Sequence, residues 1–424
     1  MNNLGDIVKI HEPAPLEGCG PLLTGAPDTT AGLKQRVFEV VRANGRAARA
    51  DITRALDISA GSVTSLTAEL IGANLLREVE GTPREQTRGR PPVALEVVPE
   101  AAHVIGIKLS YKRHTAVLTD FAGNVVADAA LATADIARSL PQLLKEIDTL
   151  IDRLLRKGQI GKARVQAVGI GMPGIIDHLT GVVQWSSLLQ DRDADLRGAF
   201  GTQFQMPLYL DNDANVLTLA ELWFGAGRAM TDFAVVTIEN GVGMGLVLNN
   251  RLYRGAHGMG LELGHTKVQL DGALCRCGQR GCLEAYLADY ALTREAAIAL
   301  DHAFDSTESR QELLDVLFEK AKAGHESAQT IFRRAGRYLS VGLANVVQLF
   351  DPALIILSGE RMRYDYLYAD EVLAEMHKLT LSGSRKSCEV AIHAWGDLVW
   401  ARGASALALS ELTDTIVNAK VAAQ

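Results

Sequence analysis

Residues 260–286 read GLELGHTKVQLDGALCRCGQRGCLEAY. Three of the chain's five cysteines, Cys275, Cys277 and Cys282, fall within eight residues of this stretch, and His265 stands ten positions upstream. Three thiolates and one neutral imidazole are donors that Zn²⁺ prefers, and together they complete a closed tetrahedral set. Gly278 and Gly281 let the short backbone turn back on itself so that the thiolates converge. A disulfide is disfavoured, because Cys275 and Cys277 are too close to pair comfortably and no secretory signal is recognisable. Cys19 and Cys388 are isolated and read as reduced thiols. One structural Zn²⁺ per chain, on His265, Cys275, Cys277 and Cys282, is the expectation.

Two carboxylates flank the cluster, Glu262 three residues before His265 and Glu284 two after Cys282. A metal clamp that fixes this loop makes both candidates for hydrogen bonding a polyol. The combination E-L-G-H followed by C-x-C-G-x-x-G-C-x-E resembles the ROK family of repressors, open reading frames and sugar kinases. The resemblance runs from about Val104 to Ala408. The segment before it resembles the DNA-binding half of the family's N-acetylglucosamine- and xylose-type repressors. It implies that the His and three Cys hold a structural zinc, and that Glu262, His265 and Glu284 touch a sugar.

With 424 residues, the chain is long enough for two or three domains. No run of eighteen apolar residues appears, and residues 1–30 lack the charged start and apolar core of a signal peptide. A cytoplasmic protein without membrane contact is therefore expected. The formal net charge of -7 argues against nucleic acid at first. Residues 33–95, however, hold ten Lys and Arg against seven Asp and Glu, so a nucleic-acid surface belongs early in the chain.

Residues 1–29, with four prolines and no periodicity, read as a flexible tail, and DNA binding is expected to survive removal of residues 1–25. Thr30 can cap a helix carrying Leu33, Val37, Val40 and Val41 on one face. A second helix spans roughly 48–56. Asp57-Ile58-Ser59 turns into a third over about 60–71, with Val63, Leu66 and Leu70 inward and Ser62, Thr64 and Ser65 outward. This is a helix-turn-helix pattern, with small polar side chains able to enter a major groove. Two strands, about 75–79 and 93–98, enclose a loop with Arg84, Arg88, Gly89 and Arg90. That loop reads as a wing, with Arg88 and Arg90 aimed at a minor groove.

From Val104 the pattern becomes α/β. VIGIKL, HTAVLTD and VVADAAL read as three strands, followed by a helix over about 139–157 and the buried strand VQAVGIGM. The resemblance implies an actin-like ATPase architecture of two lobes. The family's kinases carry an Asp and a Gly-Gly-Thr turn after the first strand to hold phosphates. This chain has Lys108-Leu109-Ser110-Tyr111-Lys112 there, which weighs against ATP binding. Where the kinases place a sugar-binding Asn, it has Trp185-Ser186-Ser187-Leu188. Asn212 and Asp213 sit where the strand PLYLD gives way to a helix, and Asp213 can serve simply as a helix cap. In the kinases the matching Asn contacts sugar hydroxyls and the matching Asp is the base for the 6-hydroxyl. The glycine-rich stretch 239–245 reads as a β-hairpin.

The expected organisation is a tail over 1–29 and a winged helix-turn-helix over 30–98. A first α/β lobe follows over 99–232, with a C-terminal helix of about 398–420 packing back on it, and a second lobe with the zinc loop spans 233–397. The function this implies is a sugar-responsive regulator, a repressor in class, of carbohydrate uptake or catabolism genes. Operator DNA and an unphosphorylated sugar held between the lobes are its partners, in a homodimer or homotetramer. The competing reading is a zinc-containing sugar kinase with an appended DNA-binding domain. Only the kinase needs a phosphate turn near Lys108, and only the regulator needs the winged helix.

Overall fold

The computed structural model describes residues 8–10, 17–22, 32–80, 93–134, 136–256, 258–299, 310–359, 362, 370–381, 388–393 and 396–422. The chain divides into two units. One comprises Pro13–Thr231, Val247–Met259 and Asp397–Gln424, and the other Met1–Glu12, Asp232–Leu246 and Gly260–Gly396.

The first unit opens with helices Leu33–Asn44, Arg49–Leu56 and Ala60–Gly72. Val37, Val40 and Val41 recur at helical spacing and are buried. The turn works as its residues suggest. Asp57 takes the left-handed conformation at φ 52°, and the Ser59 hydroxyl caps the third helix by accepting from Ser62 N at 3.0 Å. Leu66, expected inward, is only half-buried. Thr67 is fully buried beside it, its hydroxyl donating to Thr64 O and accepting from Arg49 Nε. A satisfied hydroxyl removes the penalty for placing Thr inside, so Thr67 shares the buried face with Val63 and Leu70. The strands Leu76–Glu80 and Val93–Val97 pair antiparallel, and a third strand, Arg46–Ala48, joins the other edge of Val93–Val97. The loop that would carry the wing, with Arg88 and Arg90, lies outside the described residues. So does Thr30, and the N-cap position of the first helix belongs to Gly32.

The same unit holds a five-stranded mixed sheet in the order Leu208–Asn212, Val165–Met172, His103–Lys108, Arg113–Asp120, Val125–Ala132. The first three run parallel and the rest antiparallel. Side chains alternate across a strand. Ile105 and Ile107 join one core with Leu143, Ile147, Leu150 and Leu154 of helix Leu140–Gly158. Gly106 and Gly169 face the other way, against the helix Val399–Ala422.

In the second unit, Phe233–Ile238, Leu354–Ser358, Glu389–His393 and Val8–Ile10 form successive parallel neighbours. Val242–Leu248 borders Phe233–Ile238 on its far side. Helices Asp289–Ala299, Arg310–Lys322, Glu326–Phe350 and Asp370–Leu379 complete it. Within the expected tail, Val8–Ile10 is thus a strand, and Glu17–Leu22 is tied by backbone hydrogen bonds to Arg42, Trp223 and Arg228. No helix among the described residues is long and apolar enough to cross a membrane.

Candidate metal, sugar and DNA sites

The loop from Leu263 to Leu287 brings the four metal donors together. His265 closes a 3-10 turn, Leu263–His265, and Cys275, Cys277 and Cys282 lie on the return path. All four donor atoms lie within 4.8 Å of one another. Cys277 Sγ is 3.7 Å from Cys282 Sγ, and Cys275 Sγ is 3.7 Å from His265 Nδ1. A tetrahedron with metal–sulfur bonds of about 2.3 Å has edges of about 3.8 Å, so the donor set fits a Zn²⁺-sized ion. Gly281 makes the return possible. At φ +74° a Cβ there would lie 1.6 Å from Gln269 O, a clash no rotamer relieves. Lys267 donates to Cys282 Sγ at 3.0 Å, placing a positive charge beside a site whose three thiolates would leave a zinc complex anionic.

The flanking carboxylates differ in their surroundings. Glu284 is buried, its Oε2 accepting from Val242 N at 3.2 Å and its Oε1 from Tyr290 OH at 3.4 Å. Glu262 is exposed and follows Leu261, which holds φ +70°, a conformation costly for a branched side chain. Glu262, His265 and Glu284 therefore belong to one unit, and Asn212 and Asp213 to the other.

Asn212 caps the helix Asp213–Phe224 through its Oδ1, which accepts from Ala214 N at 2.8 Å, while its Nδ2 donates to Gly174 O at 2.8 Å. Asp213 also accepts from Ala214 N, at 2.9 Å. Burial pushes its carboxyl above the ordinary range, and the Lys108 ammonium pulls it back. Lys108 is itself held 3.4 Å over the Trp400 ring. Beneath this turn lies a residue that the sequence reading passed over. Asp211, almost fully buried, binds Asn215 Nδ2 at 2.7 Å and Arg254 Nε at 2.7 Å. The motif DNDAN offered the signal for Asp211, but nothing in the sequence pointed to Arg254.

The stretch matching the kinase phosphate turn is closed by its own side chains. Ser110 N donates to His114 Nδ1 at 3.1 Å, and Ser110 Oγ to Arg113 O at 2.5 Å. Tyr111 O accepts from Thr133 Oγ1 at 2.8 Å, and the Tyr111 and Ser187 hydroxyls meet. His114 is buried against Glu146, which Arg138 also binds at 2.6 Å. Ser186 is buried too, donating to Pro173 O at 2.6 Å, while Trp185 is exposed.

Burial lowers the His114 pKa, with the Glu146 hydrogen bond opposing. A depressed histidine favours the neutral form when folded. Its contribution to stability is full above the ordinary value of about 6.5 and is lost as pH falls from there through the folded pKa. Melting between pH 7.5 and 5.5 should fall more steeply for the wild type than for His114→Asn, which keeps an acceptor but cannot titrate. Equal slopes would contradict this assignment.

On the third helix of the winged module, Thr64 and Ser65 are exposed and Ser62 is half-buried. Ser62 Oγ shares a hydrogen bond of 2.9 Å with Ser59 Oγ, and Thr64 Oγ1 donates to Ala60 O at 2.8 Å. Both hydroxyls retain acceptor capacity toward solvent.

Known proteins are similar to this chain over most of its length. The ROK family model matches residues 104–411. The xylose repressor of Caldicellulosiruptor bescii is 26% identical over 390 residues, covering 89% of this chain and 96% of that protein. The DNA-binding transcriptional repressor Mlc of Escherichia coli K12 is 30% identical over 333 residues, covering 78% of this chain and 80% of Mlc. Among solved structures, a ROK family transcriptional regulator described as a homologue of E. coli Mlc superposes with a TM-score of 0.75. It shares 25% identity and covers 92% of this chain and 98% of its own.

Proposed function

The chain belongs to the ROK family, and we propose that it is a sugar-responsive, DNA-binding transcriptional repressor that acts as a homo-oligomer and is not a kinase. The observation that carries this reading is the pairing of a helix-turn-helix, followed by the strand pair Leu76–Glu80 and Val93–Val97, with a closed phosphate turn in one chain. Ser110 N–H, which a phosphate-binding loop would present to its ligand, is spent on His114. The two relatives reported above are repressors, one of them named for xylose.

Asn212 and Asp213, with Glu262, His265 and Glu284, are the side chains assigned to the sugar. His265, Cys275, Cys277 and Cys282 are assigned to one Zn²⁺, which would supply no chemistry beyond holding the loop that carries Glu262 and Glu284. Ser62, Thr64 and Ser65 are assigned to the major groove or its phosphates, and Arg88 and Arg90 to the minor groove. Replacing both arginines by Ala should weaken operator binding, each lost base contact costing on the order of 1–3 kcal/mol. An unchanged affinity in a fluorescence anisotropy titration would remove the wing from the interface.

The effector is assigned as an unphosphorylated sugar. A free hydroxyl can donate to Asp213, a charge-assisted bond of roughly 1.5–3 kcal/mol. A phosphate there would bring nearly two negative charges beside a carboxylate, against the single cation of Lys108. Calorimetry should find a sugar 6-phosphate bound at least about tenfold more weakly than its parent, or about 1.4 kcal/mol. Tighter binding of the phosphate would overturn the role given to Asp213. The test of the kinase alternative is direct: purified protein with Mg-ATP and each sugar that it binds should release no ADP.

A further inference from the structure

We propose that Arg228 is the positioning residue through which sugar occupancy reaches the DNA-binding helices. The inference rests on the sugar and DNA roles proposed above. Helix Asp213–Phe224 has twelve residues and spans about 18 Å. Asn212 caps it and Asp213 is its first residue. Its far end passes through Gly225 into a 3-10 turn, Ala226–Ala229, which carries Arg228.

Arg228 is 2% exposed, and its guanidinium is spent on backbone carbonyls. Nε donates to Gly20 O at 3.0 Å, Nη1 to Glu17 O at 3.4 Å, and Nη2 to Ala43 O. Ala43 lies in the last turn of Leu33–Asn44, the first helix of the winged module, where carbonyls lack helical partners and the dipole attracts a cation. The segment Glu17–Leu22 runs through the same junction. Gly20 N donates to Trp223 O at 2.9 Å, Leu22 N to Arg228 O at 2.7 Å, and Cys19 N to Arg42 O at 3.0 Å.

A second guanidinium locks the other side. Arg42, on the winged module's first helix, lies 4.6 Å from the Trp223 ring and donates to Thr413 Oγ1 at 2.7 Å. Among the described residues, neither Arg42 nor Arg228 forms an ion pair with a carboxylate. Arg228, a buried cation satisfied only by directional carbonyl bonds, is stable in one arrangement and costly in any other. A shift of helix Asp213–Phe224 at its sugar end would therefore displace the Arg228 turn, and with it Ala43 and the winged module, as a packed unit.

The test uses the full-length chain, its Arg228→Met and Arg228→Lys variants, and a duplex from upstream of its own coding sequence. In the wild type, adding the duplex should slow hydrogen exchange in Asp213–Phe224 at least twofold. In Arg228→Met that response should vanish, and Arg228→Lys should restore part of it. D-xylose, D-glucose and N-acetylglucosamine form the sugar arm. Whichever binds by calorimetry should keep its affinity within twofold in Arg228→Met, while its effect on DNA affinity falls at least fivefold. Duplex binding by the wild type without altered exchange in Asp213–Phe224 would overturn the proposal, whatever the variants do. If the wild type binds no duplex, the DNA-binding reading fails. The junction is then judged by Arg228→Lys alone, which should speed exchange at both Leu33–Asn44 and Asp213–Phe224, and a change at only one of them would overturn the coupling.

Discussion

Cys277→Ser is expected to reduce bound zinc from one ion per chain to less than about a tenth, and to lower stability by roughly 3–5 kcal/mol. A serine hydroxyl stays protonated at neutral pH and is a poor substitute for a thiolate, so three donors remain where four are needed. The loop has few other constraints. Its internal bonds are single hydrogen bonds, among them Val268 N to Gly281 O, Cys275 N to Gln279 O and Arg280 Nη1 to Gly272 O, and Leu270 at its tip is largely exposed. The base of the loop should hold, because Tyr286 stacks on Tyr338 at 3.9 Å and its hydroxyl accepts from Ala273 N at 2.8 Å. The loss should therefore be local. Hydrogen exchange should rise across residues 266–283 while Glu326–Phe350 stays protected, and the melting temperature should fall by about 10 °C. Zinc still present at one equivalent, by metal analysis of the purified variant, would contradict the ligand assignment.

Gly403→Val should destabilise the protein by about 3 kcal/mol or more, through overpacking rather than lost contacts. A Cβ at Gly403 would lie 1.7 Å from Val216 O, on the helix that begins at Asp213. The strands beneath approach the C-terminal helix as closely, since a Cβ at Gly169 would lie 1.9 Å from Ala404 O. Backbone meets backbone on both sides, so the helix cannot retreat from one contact without losing the other. The displacement would bear on the helix carrying the candidate sugar residues, and the sugar response should weaken with the fold. A thermal melt of Gly403→Val within about 2 °C of the wild type would refute this seat.

The four-donor cluster was legible because His and Cys are rare residue types at tight spacing, and Glu262 and Glu284 became candidates because they adjoin it. Asn212 and Asp213 were marked by the strand-to-helix change that follows them. Asp211 and Arg254 meet across 43 residues, and pairing over that separation leaves no local pattern. Thr67 takes the inward place expected of Leu66 because two hydrogen bonds satisfy its hydroxyl. Arg228 was illegible for a deeper reason. Its partners are carbonyl oxygens, which every residue carries, so no residue type announces the junction. For the same reason the proline-rich start read as a tail, although Glu17–Leu22 is bonded into the first unit. Removal of residues 1–25 is now expected to weaken DNA binding, where the sequence alone predicted no effect.

The central claim is that one chain binds DNA and lets an unphosphorylated sugar change that affinity. Its most direct measurement is fluorescence anisotropy of the full-length protein on a duplex from upstream of its own coding sequence, with D-xylose, D-glucose, N-acetylglucosamine and their phosphates added in turn. The account predicts salt-dependent binding that one free sugar alters at least about tenfold and its phosphate does not. Absence of duplex binding, together with ADP release when the same sugars are supplied with Mg-ATP, would contradict it.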